Sequence, residues 1–128
     1  MNYFLLTAGV LAAFATIGHF SMGAKDFLKP VLDSNLDEIP KRVMQSLFHY
    51  MSVFMILSSI ILLFFSVKDP LVLRGSADAV LVIGMHYAGF AVVQILIALV
   101  SNIRGALFKL FQWIFWISIA VLSFIGIN

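Results

Sequence analysis

The sequence predicts an all-α polytopic membrane protein, an antiparallel bundle of four transmembrane helices with a short interfacial segment in its first loop. Of the 128 residues, 62% are hydrophobic and 11% are charged, whereas soluble domains average about 45–50% apolar and about 25% charged residues. The charges also leave four uncharged blocks, residues 1–24, 43–67, 79–103 and 110–128. Each block approaches or exceeds the roughly 20 apolar residues of a membrane-spanning helix, and the length fits one domain, residues 1–128.

These blocks predict spans at residues 3–22, 42–66, 79–101 and 107–127. Helices are expected because only helices and closed barrels pair every backbone group within lipid, and the runs lack the alternation of barrel strands. The composition excludes a soluble enzyme and a disordered chain. A net charge of +2 is too small for a nucleic-acid-binding surface, and the absence of cysteine excludes disulfides and thiolate metal sites.

The first block is predicted to remain as a span rather than to be removed as a signal peptide. No Lys or Arg precedes its apolar run, and it ends in Gly18-His19-Phe20-Ser21-Met22-Gly23, a poor match to a small-residue cleavage site. The loop that follows places four apolar residues at helical spacing among charges, which predicts a short helix on the inner leaflet. These residues are Phe27, Leu28, Val31 and Leu32.

The distribution of Lys and Arg predicts the orientation of the bundle. Six of these residues fall in the first and third loops, and two fall in the second. The larger set is Lys25, Lys29, Lys41, Arg42, Arg104 and Lys109; the smaller set is Lys68 and Arg74. Because cytoplasmic loops carry the excess of basic residues, we expect a multi-pass inner-membrane protein with both termini outside the cytoplasm, in the periplasm if the cell is Gram-negative.

Small and polar residues form a stripe on each of the first two helices. Such residues are typical of helix interfaces in membranes, so the two stripes are expected to pack together, with His19 and His49 at similar depth. On this view Leu5 lies outside the interface. The first stripe is Ala8, Ala12, Ala15, His19 and Gly23; the second is Gln45, His49, Ser52, Ile56 and Ser59.

The remaining helices add polar residues at the same end of the bundle. Polar side chains within spans usually face the bundle interior, so His19, His49, Gln94 and Gln112 are predicted to form one layer, with Gln45 at its mouth. His86 and Trp113 are further candidate ligand-binding residues. No catalytic residue is predicted.

Four interpretations of this layer stay open. It is a set of interhelical hydrogen bonds, a pocket for a quinone, a lipid headgroup or a small metabolite, a metal or haem site held by His19 and His49, or a proton relay. No cofactor is the leading expectation, with haem or quinone as the alternative.

The ends of the first two helices resemble a pattern in small uncharacterised bacterial four-helix membrane proteins. That pattern has H-S-x-x-G ending the first helix and Arg followed by W-H opening the second; His19 to Gly23 and Arg42 with Phe48-His49 stand at these places here. The chain departs from it at Phe20, which replaces the serine, and at Ala24, where an acidic residue is common. The likeness covers about residues 15–55, with Phe48 in place of the tryptophan. It implies a paired His19/His49 site and the four-span plan, but no reaction.

The leading functional hypothesis is a non-enzymatic integral membrane component. It would be an accessory subunit or a small-molecule- or lipid-binding protein with a polar pocket on the cytoplasmic side, whose partners are the lipid bilayer and either further copies of itself or a larger membrane complex, but not nucleic acid. A redox protein that holds haem or quinone at His19 and His49 is one alternative. A small proton-coupled transporter is another, disfavoured because no acidic residue lies deep in a span and no inverted repeat is evident.

The charge distribution generates a topological prediction. A reporter fused at residue 35 should be cytoplasmic, and one fused after Asn128 should not, because six of the eight basic residues lie in the first and third loops. Paired alkaline phosphatase and fluorescent-protein fusions measure this. A periplasmic signal at residue 35 would reverse the orientation.

Overall fold

The structure, a computed structural model, describes residues 1–67 and 75–127. The all-α class is confirmed for these residues, which contain no strand. Lys68 and Arg74, the two basic residues of the second loop, lie outside the described residues. The elements are α1 (Tyr3–Gly18), a π-helical segment (His19–Leu28), α2 (Lys29–Leu32), α3 (Glu38–Val67), α4 (Ser76–Val100), α5 (Ala106–Lys109) and α6 (Trp113–Gly126).

The first helix is longer than the sequence predicts. A span ending at residue 22 and a separate interfacial segment were expected, but one helix runs through Tyr3–Leu32. Its middle part is a π-helix, in which backbone bonds close over five residues: the Lys29 N–H donates to the Ala24 carbonyl. The loop to α3 therefore shrinks to residues 33–37.

Three helices are long and apolar enough to cross a membrane: Tyr3–Leu32, Glu38–Val67 and Ala77–Val100. The predicted fourth span, residues 107–127, is broken instead by a turn at residues 110–112. There the Trp113 indole N–H donates to the Leu107 carbonyl at 2.9 Å, replacing the backbone bond that a continuous helix would provide. The 14 residues of α6 extend only about 21 Å, against about 30 Å of hydrocarbon in a bilayer.

The long helices pack antiparallel, with α1 and α6 as the central pair. α1 contacts α3 and α6, while α4 contacts α6 extensively and α3 at fewer positions. Large side chains fill the wider α3–α4 gap. The Tyr87 and Ser58 hydroxyl oxygens lie 2.7 Å apart, and the Phe54 ring packs on those of His86 and Tyr87, with centroids 5.2 and 5.4 Å apart. One hydrophobic core links these helices.

Contacts between α1 and α3 recur every seven residues along the first helix. Such a repeat is typical of helices that pack at a shallow left-handed angle, and small residues at the contacts allow the backbones to approach closely. The pairs are Asn2 with Ser66, Gly9 with Leu63, Thr16 with Ser59, and Gly23 with Phe48.

The predicted stripe on the first helix is confirmed in part. Ala8 and Ala12 are fully buried, and Ala15 is half-buried. Leu5, expected outside the interface, is buried too. Its side chain packs so closely on Gly126 that a Cβ there would lie 2.5 Å from Leu5 Cδ2. Leu5 lies on the same face as Ala12, seven residues earlier, so the buried stripe of α1 extends one turn further toward the N-terminus, where it packs against α6.

The predicted stripe on the second helix is displaced by one residue. Ser52 and Ser59 are buried, but Ile56 and His49 are exposed. Successive side chains on an α-helix are rotated by about 100°. Phe48, four residues before Ser52, therefore lies on the packed side of α3, and His49, the next residue, points outward. The buried row of α3 is Ser52, Met55, Ser59, Leu62 and Ser66.

Asn2 joins three helices at the end of the bundle opposite the first loop. Its side-chain oxygen accepts from the Leu5 N–H at 3.1 Å and caps α1. Its side-chain nitrogen donates to the Gly126 carbonyl at 2.6 Å, and its backbone N–H donates to the Ser66 carbonyl at 2.7 Å. One residue thus satisfies carbonyls near the ends of α6 and α3.

Two glycines of α1 provide a matched test of this packing. A Cβ on Gly9 would lie 2.8 Å from Leu63 Cγ and 3.0 Å from the Leu63 backbone nitrogen, so Gly9→Ala should destabilise the protein by about 1–3 kcal/mol. Around Gly18 no described atom lies within 4 Å of that position, so Gly18→Ala should stabilise the helix by about 0.5–1 kcal/mol. Thermal unfolding in detergent measures both. Equal melting temperatures for the two variants would contradict the close α1–α3 approach.

Candidate functional site

A cavity of about 480 Å³ lies between the end of the first helix and the start of α6. Because the helices are antiparallel, it lies at the end of the bundle that carries the first and third loops. Its wall is mostly aromatic and contains Phe14, Phe27, Phe48, Phe111, Phe115 and Trp116. Four polar residues also line it: His19, Ser21, Asp26 and Gln112.

The π-helical segment forms one wall of this cavity. When backbone bonds close over five residues, side chains four and five positions apart lie on the same face of the helix. Gly18, Met22, Gly23 and Phe27 have this spacing, and all four line the cavity. Glycine at two of these positions leaves space that a side chain would fill.

His19 attaches this wall to α3. Its Nε2 lies 2.9 Å from the Ser52 hydroxyl oxygen and 3.2 Å from the Phe48 carbonyl oxygen. The imidazole also stacks on the Phe48 ring, with centroids 3.9 Å apart and an interplanar angle of 16°. The π-helical segment is therefore fixed to α3 at the position where the cavity begins.

These contacts assign the proton of the imidazole. The Phe48 carbonyl can only accept, so Nε2 carries the hydrogen and Nδ1 offers a lone pair. The Ser52 hydroxyl accepts from Nε2–H and donates to the Phe48 carbonyl at 3.0 Å. Within the described residues Nδ1 has no hydrogen-bond partner, and it lies 3.6 Å from the position of a Cβ on Gly23. His19 and Gly23 both line the cavity.

The opposite wall is held by a chain of side-chain hydrogen bonds between α4 and α6. Gln94 Nε2 donates to Gln112 Oε1 at 2.8 Å, and the Trp116 indole N–H donates to Gln94 Oε1 at 2.9 Å. The Trp116 ring stacks on Tyr87, with centroids 5.6 Å apart. These contacts fix two lining residues, Gln112 and Trp116, and leave the Gln112 side-chain N–H groups without a described partner.

Asp26 brings a negative charge to the cavity. The other residues in the described lining are uncharged apart from the titratable His19. The Asp26 side chain is exposed and forms no ion pair or hydrogen bond with the part of the chain that the structure describes. A ligand is therefore free to use this carboxylate.

The structure brings only part of the predicted polar layer to the cavity. His19 and Gln112 share the cavity, and Gln94 is one hydrogen bond away. His49 does not line the cavity; its ring meets Phe48 edge-on at 5.6 Å, and it has no hydrogen bond among the described residues. Phe48 therefore contacts both imidazoles, and no contact joins them directly.

The other predicted residues lie elsewhere. Gln45 accepts from Arg42 at 3.0 Å on the outer surface of α3. The exposed His86 donates from Nδ1 to the Val82 carbonyl at 2.8 Å. Trp113 closes the turn before α6. Within residues 1–67 and 75–127, no group of three or more His, Cys, Asp or Glu side chains could hold a metal ion.

Most of the aromatic wall was not among the residues predicted from the sequence, and two of the missed residues, Phe48 and Asp26, matter most for the chemistry of the site. Phe48 was given only as the neighbour of His49, although it continues the buried row of α3 by four residues from Ser52. Asp26 directly precedes the apolar residues predicted to form the interfacial helix, and it was not singled out because a break was expected at residue 22. Asp26 follows Met22 by four residues, which places both on one face of the helix only if the helix continues beyond residue 22.

Comparison with known proteins does not indicate a function for this chain. No protein family, curated protein or solved structure matches this chain. The function is therefore inferred from the cavity itself.

The two histidines should differ in their contribution to stability. His19→Ala removes hydrogen bonds at Ser52 and Phe48 and a ring stack, so we expect a loss of about 1–3 kcal/mol. His49→Ala should change stability by less than about 0.5 kcal/mol, because its side chain is exposed. Melting temperatures of both single variants and the double variant measure this, and the losses should add. A loss in His49→Ala as large as that in His19→Ala, with a double variant no less stable than either, would show that the histidines share one site.

Proposed function

We propose that this chain is a non-enzymatic integral membrane protein that binds a small molecule or lipid in the cavity beside His19. The cavity carries the proposal. Its volume of about 480 Å³ lies within the roughly 300–1,000 Å³ of typical ligand pockets. Like those pockets it combines an apolar, aromatic wall with a few polar groups, and hydrogen bonds fix its two walls.

Exposed apolar side chains support a membrane setting. Phe108 and Val100 are 86% and 81% exposed, and large apolar residues cover the outside of every long helix. Soluble monomers rarely present such continuous apolar surface, so lipid is the expected surroundings. In the proposed setting α5 and α6 together complete a fourth crossing, and the same outer surface serves assembly with further copies or a larger complex.

The proposed orientation places the cavity on the cytoplasmic side of a bacterial inner membrane. The cavity lies at the end of the bundle that carries six basic residues in or beside the first and third loops. Basic residues concentrate in cytoplasmic loops, so both termini would lie on the opposite side. A ligand would then enter from the cytoplasm or from the inner leaflet.

The two candidate histidines do not favour a redox function. A pair of axial or quinone-binding imidazoles would have to reach one cavity, whereas only His19 lines it. In addition, His19 Nε2 already bonds to α3. The arrangement therefore favours binding of a largely apolar molecule whose polar end donates a hydrogen bond to Nδ1 of a single histidine.

Filling the cavity tests the proposal. Gly18 lines the cavity, and apart from its chain neighbours and its own helix backbone no described atom lies within 4 Å of a new Cβ, so the side chain of Gly18→Leu should extend into the cavity. We expect decanol to change the tryptophan fluorescence of the wild type and of Gly18→Ala saturably in zwitterionic nanodiscs, because Trp116 lines the cavity. Gly18→Leu should weaken this binding at least about tenfold, or 1.4 kcal/mol.

Gly18→Ala is the matched control, because it changes the backbone preference without filling the cavity. A circular dichroism spectrum and melting temperature confirm that Gly18→Leu is folded. The proposal fails if decanol gives no saturable change in the wild type, or if a folded Gly18→Leu binds it with unchanged affinity.

A further inference from the structure

We infer that the ligand of this cavity is a hydrophobic amine in its protonated form, with N–H groups that bond to Asp26 and His19. The inference rests on the proposed function, since it names the chemical class that the same cavity would take. Three features of the lining support it: the sign of its charge, the kind of hydrogen-bonding atoms it offers, and its aromatic wall.

The charge of the lining favours a cation. Asp26 is the one acidic residue of the described lining, which contains no Lys or Arg. Its carboxylate has no partner among the described residues. A carboxylate, phosphate or sulfate headgroup would find no basic side chain there and would be repelled by Asp26. A charge near an apolar wall gains more from its counterion than it would in water.

The hydrogen-bonding atoms select an N–H donor. An ionised carboxylate only accepts, and the assigned tautomer makes His19 Nδ1 an acceptor as well. A primary ammonium carries three donors, enough for both groups. A quaternary ammonium has the same charge but no donor, so it would leave Nδ1 unpaired. The free side-chain N–H groups of Gln112 can donate a hydrogen bond to a neutral acceptor elsewhere on the ligand.

The aromatic wall suits the rest of such a ligand. Six aromatic side chains line the cavity; their faces attract cations within about 6 Å, and their area buries an alkyl or aryl chain. Lys25 and Lys29 lie close to Asp26 along the chain but do not line the cavity. At physiological salt, charges on the outer surface are screened over about 8 Å. The two lysines therefore repel a bound cation less strongly than Asp26 attracts it.

Decyl compounds with different headgroups test the inference in zwitterionic nanodiscs at 0.15 M salt, with tryptophan fluorescence as the readout. For the wild-type chain we expect decylammonium to bind at least about tenfold more tightly than decanoate, and more tightly than decyltrimethylammonium. Asp26→Asn should abolish the preference for decylammonium over decanoate while the affinity for decanol stays within about twofold. Asp33→Asn, an exposed acid outside the cavity, is the matched control and should keep the preference.

The outcomes separate this inference from the proposed function. Saturable decanol binding without a preference for decylammonium, a preference for decanoate, or a preference that survives in Asp26→Asn would overturn the ammonium ligand and leave the binding function intact. Equal affinities for decylammonium and decyltrimethylammonium would overturn the role of the N–H donors. Absence of saturable binding for every compound would defeat the proposed function itself.

Discussion

The hydrogen bonds that His19 makes to Ser52 and the Phe48 carbonyl are the constraint on which the cavity depends. An imidazole surrounded by apolar helices must find polar partners, because lipid and aromatic rings offer it none. Here the partners lie on α3, 2.9 and 3.2 Å away. The bonds hold the π-helical segment against α3 and so keep it away from the start of α6. The cavity is the space that this arrangement leaves open.

At the opposite end of α1, hydrogen bonds and small residues together bring the helices close. Asn2 ties α1 to carbonyls on α3 and α6, and between Asn2 and Thr16 small residues let the neighbouring helices close on α1. Ala8 and Ala12 are completely buried there. The first helix is thus packed tightly along its first half and opens toward α6 in its second. The cavity is lined by residues of the second half.

Charge and hydropathy in the sequence predicted most of this fold and part of the site. Long uncharged blocks determine where helices run, and small residues such as Ala12 indicate which face packs. Two features of the fold depend on hydrogen bonds that the periodicity of the sequence does not reveal. The π-helical segment carries the first helix beyond residue 22, and the Trp113 indole replaces a backbone bond before α6. His49 was misplaced because a shift of one residue on a helix turns a side chain by about 100°.

The protonation state of His19 is the most direct test of how the cavity is held. In ¹⁵N NMR spectra of the full chain at pH 8, the nitrogen shifts of this imidazole should show the proton on Nε2 and a bare lone pair on Nδ1. Ser52→Ala should shift the Nε2 resonance, because it removes the nearer of the two partners, whereas His49→Ala should leave it in place. A proton on Nδ1, or a His19 spectrum unchanged by Ser52→Ala, would contradict the attachment of the π-helical segment to α3.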